Sequence, residues 1–313
     1  MSVFDLSGSL VGEVTPFVNI KEFGAKGDGE TNDATAIQSA INSVQSGGIV
    51  FFPKGTYLIT SAILFYSNQT LWFENDATLL QGSASLTSLL RSACADDTTG
   101  YNGTHDCLIY GATFDGGAYT TNNTLAGAVH AKNIVFENCT FKNAYGAWHD
   151  LEFCGCYNCK LINCDFEGSR KNDANGCMVQ IDPISSNGTW PWDNRGSVDG
   201  TICKYIEVVG CIFHDSAVVP GIGNHSGDNS DPDEFVRIHD CVFIGLTTNR
   251  AAIQLNKGTL VDVYNNTFNG CKYGVGYADT TYFIHGNRFI DVTSAFNNNA
   301  ISHSNIINGT YTA

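Results

Sequence analysis

A short alternating segment that closes on phenylalanine recurs along most of this chain, and no other feature restricts its fold as strongly. The clearest copies are IVFENCTF (134–141), KLINCDF (160–166), IEVVGCIF (206–213), VRIHDCVF (236–243) and VDVYNNTF (261–268), with LIYGATF (108–114) and YFIHGNRF (282–289) as looser ones. Their terminal Phe residues, at 114, 141, 166, 213, 243, 268 and 289, lie 27, 25, 47, 30, 25 and 21 apart. The longest gap is one repeat plus an insertion of about 22 residues, placed at 183–204. Alternation marks strands, and a repeat of about 20–30 residues with no helix-length segment marks a β-solenoid. Equivalent strands of successive coils then stack at about 4.8 Å, so each inward position becomes a ladder of like side chains. Two ladders are predicted. One is the Phe series; the other, two residues earlier, reads Ala112, Cys139, Cys164, Cys211, Cys241, Asn266 and Asn287.

A second strand per coil is expected between the Phe segments. GAVHA (127–131), DLEFC (150–154), VQIDP (179–183), GIGNH (221–225), IQLN (253–256) and GVGY (274–277) align through their apolar residues. The inward positions are Val129, Leu151 with Phe153, Val179 with Ile181, Ile222, Ile253 with Leu255, and Val275 with Tyr277. Their neighbours point outward, because strand side chains alternate. One outward column reads Ala128, Asp150, Gln180, Gly223, Gln254, Gly274; the other reads His130, Glu152, Asp182, His225, Asn256, Gly276.

The second column gathers proton-transfer groups at the middle of the solenoid. On adjacent coils Glu152 and Asp182 stand roughly 5 Å apart, too close for both to ionise freely, so one pKa should rise. A proton donor beside a carboxylate is what glycosidic hydrolysis needs, with about 5–5.5 Å suiting retention and wider gaps inversion. His225, one coil further, supplies an acid or base near neutral pH. The expected catalytic residues are therefore Glu152, Asp182 and His225, with His130, His149, Asp150, Gln180, Gln254 and Asn256 as substrate contacts. His149 shares the parity of Leu151. It reaches the groove only if the chain bends before the strand; otherwise it is a buried structural histidine.

Residues 1–17 read as a lead segment and 18–313 as one solenoid domain. Near its start, VNIKEFGAKGDGETNDATAIQSAINSVQSGGIVFFPKGTYLIT (18–60) predicts a helix over about 33–46, capped by Asn32 or Asp33 and ended by Gly47-Gly48. Ile37, Ala40, Ile41 and Val44 line one face of it. Such a helix covers the open end of a solenoid, whose bare edge invites aggregation. FGAKGDGETND, AIQSAI and GGIVFFPKGTYL resemble the entry segment of the pectate-lyase-like superfamily of single-stranded right-handed parallel β-helices, in the form shared by polygalacturonases and phage tailspike depolymerases. The resemblance implies an all-β parallel β-helix over essentially the whole chain. His149 with Glu152, Gln180 with Asp182, and His225 are also similar to a pattern in bacterial and phage members, which implies a glycan-binding groove at these residues. The N-T-D, D-D, G-H-G and R-I-K signatures of polygalacturonases are not found. The tailspike likeness implies a homotrimer; a monomer is equally compatible with the sequence.

The net charge of −15, with Lys plus Arg totalling 16, argues against nucleic acid and anionic membranes as partners. A polysaccharide is the expected partner. The start, MSVFDLSGSLVGEV, has no secretion-signal pattern, and no apolar run reaches transmembrane length. With twelve cysteines, that pattern points to reduced thiols in a cytoplasmic protein, or in a phage virion component assembled in the cytoplasm. No cofactor is expected. WHDLEFCGCYNC (148–159) offers zinc-like residues, but the repeat sends them to different places, whereas zinc needs four converging ligands. The acidic run GDNSDPDE (227–234) could hold Ca²⁺ through oxygens, although it lacks EF-hand spacing.

Within the insertion, Trp190 and Trp192 could stack on sugar rings and Arg195 could hold an anionic group. Three functions follow. A carboxylate-catalysed polysaccharide hydrolase is favoured. A lyase working by β-elimination on a uronate-containing glycan is second; it needs a base such as His225 and a cation such as Arg195. A non-catalytic glycan-binding, adhesin or phage-tail module is third.

Overall fold

Each Phe-terminated segment folds as two short strands set at an angle. In the computed structural model Lys132–Glu137 and Thr140–Lys142 are separate strands, and the chain turns between them at Asn138, whose φ is 54°. The equivalent residues Gly111, Asn163, Gly210, Asp240, Asn265 and Gly286 all have positive φ. Gly, Asn and Asp tolerate this left-handed backbone best. The residue just before each ladder cysteine, read above as a strand position, is therefore a corner. With the strand that follows, such as His149–Cys154, a coil has three strands rather than two.

The structure describes residues 15–121, 123–145, 149–168, 176–185, 196–225, 232–276, 280–296 and 300–308, and the backbone alone at 2–4, 10–13 and 310–312. Among them the strands form three long sheets, two of twelve strands and one of nine, parallel throughout except for the antiparallel pairing of Thr310–Thr312 with Asn305–Ile307. We call these the leading sheet (with Lys132–Glu137), the phenylalanine sheet (with Thr140–Lys142) and the third sheet (with His149–Cys154). No helix among the described residues is long and apolar enough to cross a membrane.

Both predicted ladders are present. From Phe114 to Phe289 successive rings lie 4.7 to 4.9 Å apart with interplanar angles of 3° to 13°, and all are buried. Phe166 stacks directly on Phe213, so the insertion leaves the core undisturbed. The Cys/Asn ladder is buried too, and it satisfies backbone groups that the corners leave unpaired. Cys164 Sγ lies 3.4 Å from the Phe136 carbonyl of the preceding coil. The asparagines do the same job more strongly: Asn266, Asn287 and Asn305 donate through Nδ2 to Ile238, Val263 and Ile284 carbonyls at 2.9, 2.8 and 2.9 Å. All twelve cysteines are free thiols, and only Cys94 is not buried.

The helix is Ala34–Ser43, with Ala34, Ile37, Ala40 and Ile41 buried. Asn32 Oδ1 accepts from Ala34 N at 3.2 Å. The Asp33 carboxylate turns the other way and accepts from Lys26 N and Gly27 N at 2.6 and 2.9 Å, so it pins the preceding turn instead of capping the helix.

Candidate active site

The third sheet departs most from the sequence reading, and the cause is a corner. On entering it, each coil sends two consecutive residues into the core: Leu89 with Leu90, Leu125 with Ala126, Met178 with Val179, and Ala252 with Ile253. The second member of each pair is in register, through Leu90, Ala126, Leu151, Val179, Ile222 and Ile253. Asp150 therefore occupies the core position held elsewhere by Leu89, Leu125 and Met178. It does not face the groove, as alternation implied. It is 1% exposed, and neither carboxyl oxygen has a hydrogen-bond partner. Burial, with the nearby Glu167 charge, holds its pKa well above the usual carboxylate range.

The same bend turns His149 outward beside Cys177, its cross-strand partner. His149 is buried, accepts from Cys177 N at 3.3 Å through Nδ1, and meets the His225 ring at 5.6 Å. Burial first, then the neighbouring His225, pulls its pKa down to about 3. It is a neutral ring at the edge of the site.

The register also shifts the carboxylates. Glu152 pairs across the sheet with Gln180, and Asp182 with Cys154. The two acids face outward on adjacent coils but are two residues out of step, a Cα separation of about 8 Å from strand spacing and rise. The direct apposition at roughly 5 Å expected from sequence is not present. In the previous coil the alignment slips by an odd number: Ala128 opposes Phe153 and faces the core, while Val129 opposes Cys154 and packs outside with Cys154 and Ile184. His130, expected in the Glu152 column, sits at a left-handed turn with φ 49°. It is fully buried, with Nδ1 2.7 Å from Gly100 O and Nε2 3.0 Å from Ser197 O. It clasps the base of the insertion and plays no part in the groove.

Around Asp182 the side chains converge. Its Oδ1 accepts from His225 N at 2.8 Å and Gln180 Nε2 at 2.7 Å, and its Oδ2 meets His225 Nδ1. Gln180 Oε1 meets the Cys177 thiol, which sets the amide so that its nitrogen faces Asp182. Burial would raise the Asp182 pKa, but the hydrogen bonds and charge of His225 hold it below the ordinary value. Glu152 moves the opposite way: burial, then the Asp182 charge and Cys156, raise it well above the carboxylate range. Its Oε2 is buried without a partner. The two environments thus pull the carboxyl groups apart, favouring the proton on Glu152 and the charge on Asp182.

Gln254 shares the outward column of Gln180 through Gly223 and is half-buried. Asn256 instead donates to Asn224 O at 2.6 Å and is buried, so it ties two coils together. Arg91 and Gly127 continue the Glu152 column towards the N-terminus, and Arg91 lines a cavity of about 520 Å³ with Tyr66, Ser92 and Thr98. Cys177 and Arg250 were missed from sequence. Arg250 donates to Gly176 O at 2.6 Å, and its charge reaches His149 and Cys177. Neither carried a legible signal, because alternation would bury Cys177 and Arg250 lies in a loop.

Trp190, Trp192, Arg195 and Tyr277 lie outside the described residues, as do residues 226–231 of the acidic run. Of that run, Asp233 accepts from Cys203 N and Asn224 Nδ2 at 2.8 and 3.1 Å, and Glu234 pairs with Lys204 at 3.0 Å. Both acids are thus engaged within the protein. No group of three or more His, Cys, Asp or Glu converges as a metal site among the described residues.

A family model described as "Rhamnogalacturonase A/epimerase, pectate lyase-like" matches residues 17–301. Among curated proteins, the plasmin and fibronectin-binding protein A of Streptococcus pneumoniae is 26% identical over 303 residues, covering 87% of this chain and 39% of its own length. The chain thus spans about two-fifths of that relative. Among solved structures, the pneumococcal surface adhesin PfbA superposes with a TM-score of 0.75 at 20% identity, over 93% of this chain and 78% of its own. A hyperthermoactive exopolygalacturonase from Thermotoga maritima gives 0.64 at 14% identity, over 93% and 78%. At these identities the structures share the fold.

Proposed function

Because this chain belongs to the rhamnogalacturonase A/epimerase, pectate lyase-like family, we propose that it hydrolyses glycosidic bonds of a polysaccharide laid along the third sheet. Glu152 is the general acid that protonates the departing glycosidic oxygen. Asp182 is the base that takes a proton from the water attacking the anomeric carbon. His225 and Gln180 orient Asp182 and keep it ionised. The observation that carries this reading is the opposite displacement of the two carboxyl pKa values, which assigns acid and base roles. The two-residue offset of the pair supports room for a water between them, as inversion requires. The likeness to an adhesin supports a second reading, in which the chain binds a partner without cutting it.

A polysaccharide panel read for reducing ends and ultraviolet absorbance together tests both. New reducing ends without absorbance are expected. Absorbance from a new C=C bond would instead identify β-elimination, and binding without either signal would leave the adhesin reading. Glu152→Gln and Asp182→Asn should each lower turnover by about 10²–10⁴-fold while the protein stays folded; full activity in both would overturn the site. Activity should fall on the acid side as pH drops through the depressed Asp182 pKa, and on the alkaline side as Glu152 loses its proton.

A further inference from the structure

We propose that a second glycan-binding site, for a sugar ring bearing an anionic substituent, lies where the third sheet turns into the leading sheet, on Tyr205, Phe235 and Arg237. It stands apart from the Glu152 site and does not depend on catalysis there.

The turn between these sheets uses a left-handed residue in most coils. In three coils that residue is Asp106, Asn133 and Asn158, with φ of 56°, 55° and 52°. These side chains form their own ladder, Asn133 Nδ2 donating to Asp106 Oδ1 at 2.7 Å and Asn158 Nδ2 to Asn133 Oδ1 at 2.8 Å. In the next three coils the same backbone position, with φ of 57°, 57° and 58°, is filled by Tyr205, Phe235 and Leu260. Bulky side chains are outliers in this region and are strained there. Core packing does not explain them, since Tyr205 and Leu260 are each 44% exposed. Strain held at an exposed Tyr205 and a half-buried Phe235, where Asn would serve the backbone better, points to a ligand.

The surroundings indicate which ligand. The Tyr205 and Phe235 rings are parallel, 4.7 Å apart, and Tyr157 stands at 70° to Tyr205. Beside them opens a cavity of about 360 Å³ whose polar wall includes Lys160, Glu207 and Arg237. Lys160 is neutralised by Glu207 at 2.6 Å. Arg237 is exposed and has no ion pair among the described residues, although the chain carries a net charge of −15. The stacked Tyr205 and Phe235 rings cover each other's faces and offer an apolar edge to the C–H face of a pyranose, while the exposed Arg237 guanidinium, between Glu207 and Asp262 across the sheet, takes a carboxylate or sulfate on it. A concavity of this size suits a sugar residue, whereas a stable protein interface needs about 800 Å² per partner.

The test is ligand-observed saturation-transfer NMR with glucuronate and glucose. Wild type should bind glucuronate in preference to glucose, and Arg237→Gln should weaken glucuronate about tenfold or more. The double variant Tyr205→Asn/Phe235→Asn should lose binding while its thermal midpoint holds or rises, because Asn suits the turn and extends the Asn133–Asn158 ladder. Glu152→Gln should bind glucuronate as wild type does, which separates this site from the proposed active site. Unchanged affinity in Arg237→Gln, equal binding of the two sugars, or binding that survives in the double variant would each overturn the proposal.

Discussion

The phenylalanine sheet and the third sheet run side by side through the same coils, yet one is nearly periodic and the other is not. From Thr113–Asp115 to Arg288–Ile290 the phenylalanine sheet takes three residues from each coil. The third sheet takes three at Leu90–Ser92, six at His149–Cys154 and at Cys177–Asp182, and two at Ile222–Gly223. A ladder of identical rings is self-consistent: each Phe packs on a copy of itself, so every coil has the same best geometry. A ladder of carboxylates would repel itself. Where Glu152 and Asp182 stand, successive coils must therefore differ, and the register sets Gln180, not Asp182, opposite Glu152.

The comparison can be broken most forcefully in the regular sheet. Phe166→Ala removes the ring between Phe141 and Phe213 and should cost about 3–5 kcal/mol, read from the denaturant midpoint; a cost below 1 kcal/mol would deny the ladder its structural role. On the irregular side, Asp150 is a buried acid whose folded pKa is raised. Its pH-dependent cost is absent below the unfolded pKa and grows as pH rises above it. Asp150→Asn should therefore gain on wild type by about 1.4 kcal/mol per pH unit until the folded pKa is passed. Parallel stability curves from pH 3 to 8 would place the charge elsewhere.

Two smaller tests sharpen the contrast. Asn287→Ala leaves the Val263 carbonyl without its side-chain donor and should cost about 1–3 kcal/mol in thermal or chemical unfolding. A neutral result would mean that the asparagine rungs only fill space. On the outer face of the phenylalanine sheet, burial lowers the His214 pKa, but the Asp215 and Asp165 carboxylates more than offset it and raise the value overall. That pairing stabilises the fold below the unfolded pKa and fades as pH rises through the folded one. It is partly exposed, so His214→Gln should remove less than about 1 kcal/mol of pH-dependent stability, with NMR titration of the ring as the check.

What the sequence by itself determined is the part of the protein in which side chains pack on their own kind. The Phe ladder, the Cys/Asn ladder and the amphipathic helix are all written as strict periods, and a period survives errors in strand boundaries. The insertion was visible as a gap because the rings on either side of it still had to stack. What only the tertiary structure decided is register at the corners. A left-handed Asn, Gly or Asp divides one apparent strand into two, and the bend into the third sheet buries two neighbours in succession. That bend moves Asp150 to the core and His149 to the site, and the shifted register places Glu152 opposite Gln180. Side-chain alternation has a period of two, so a corner that breaks it reassigns every residue beyond it. Glu152, Asp182 and His225 were legible as outward acids and a base. Which of them holds the proton was not, because burial and hydrogen bonding set that and neither is a local property of the chain.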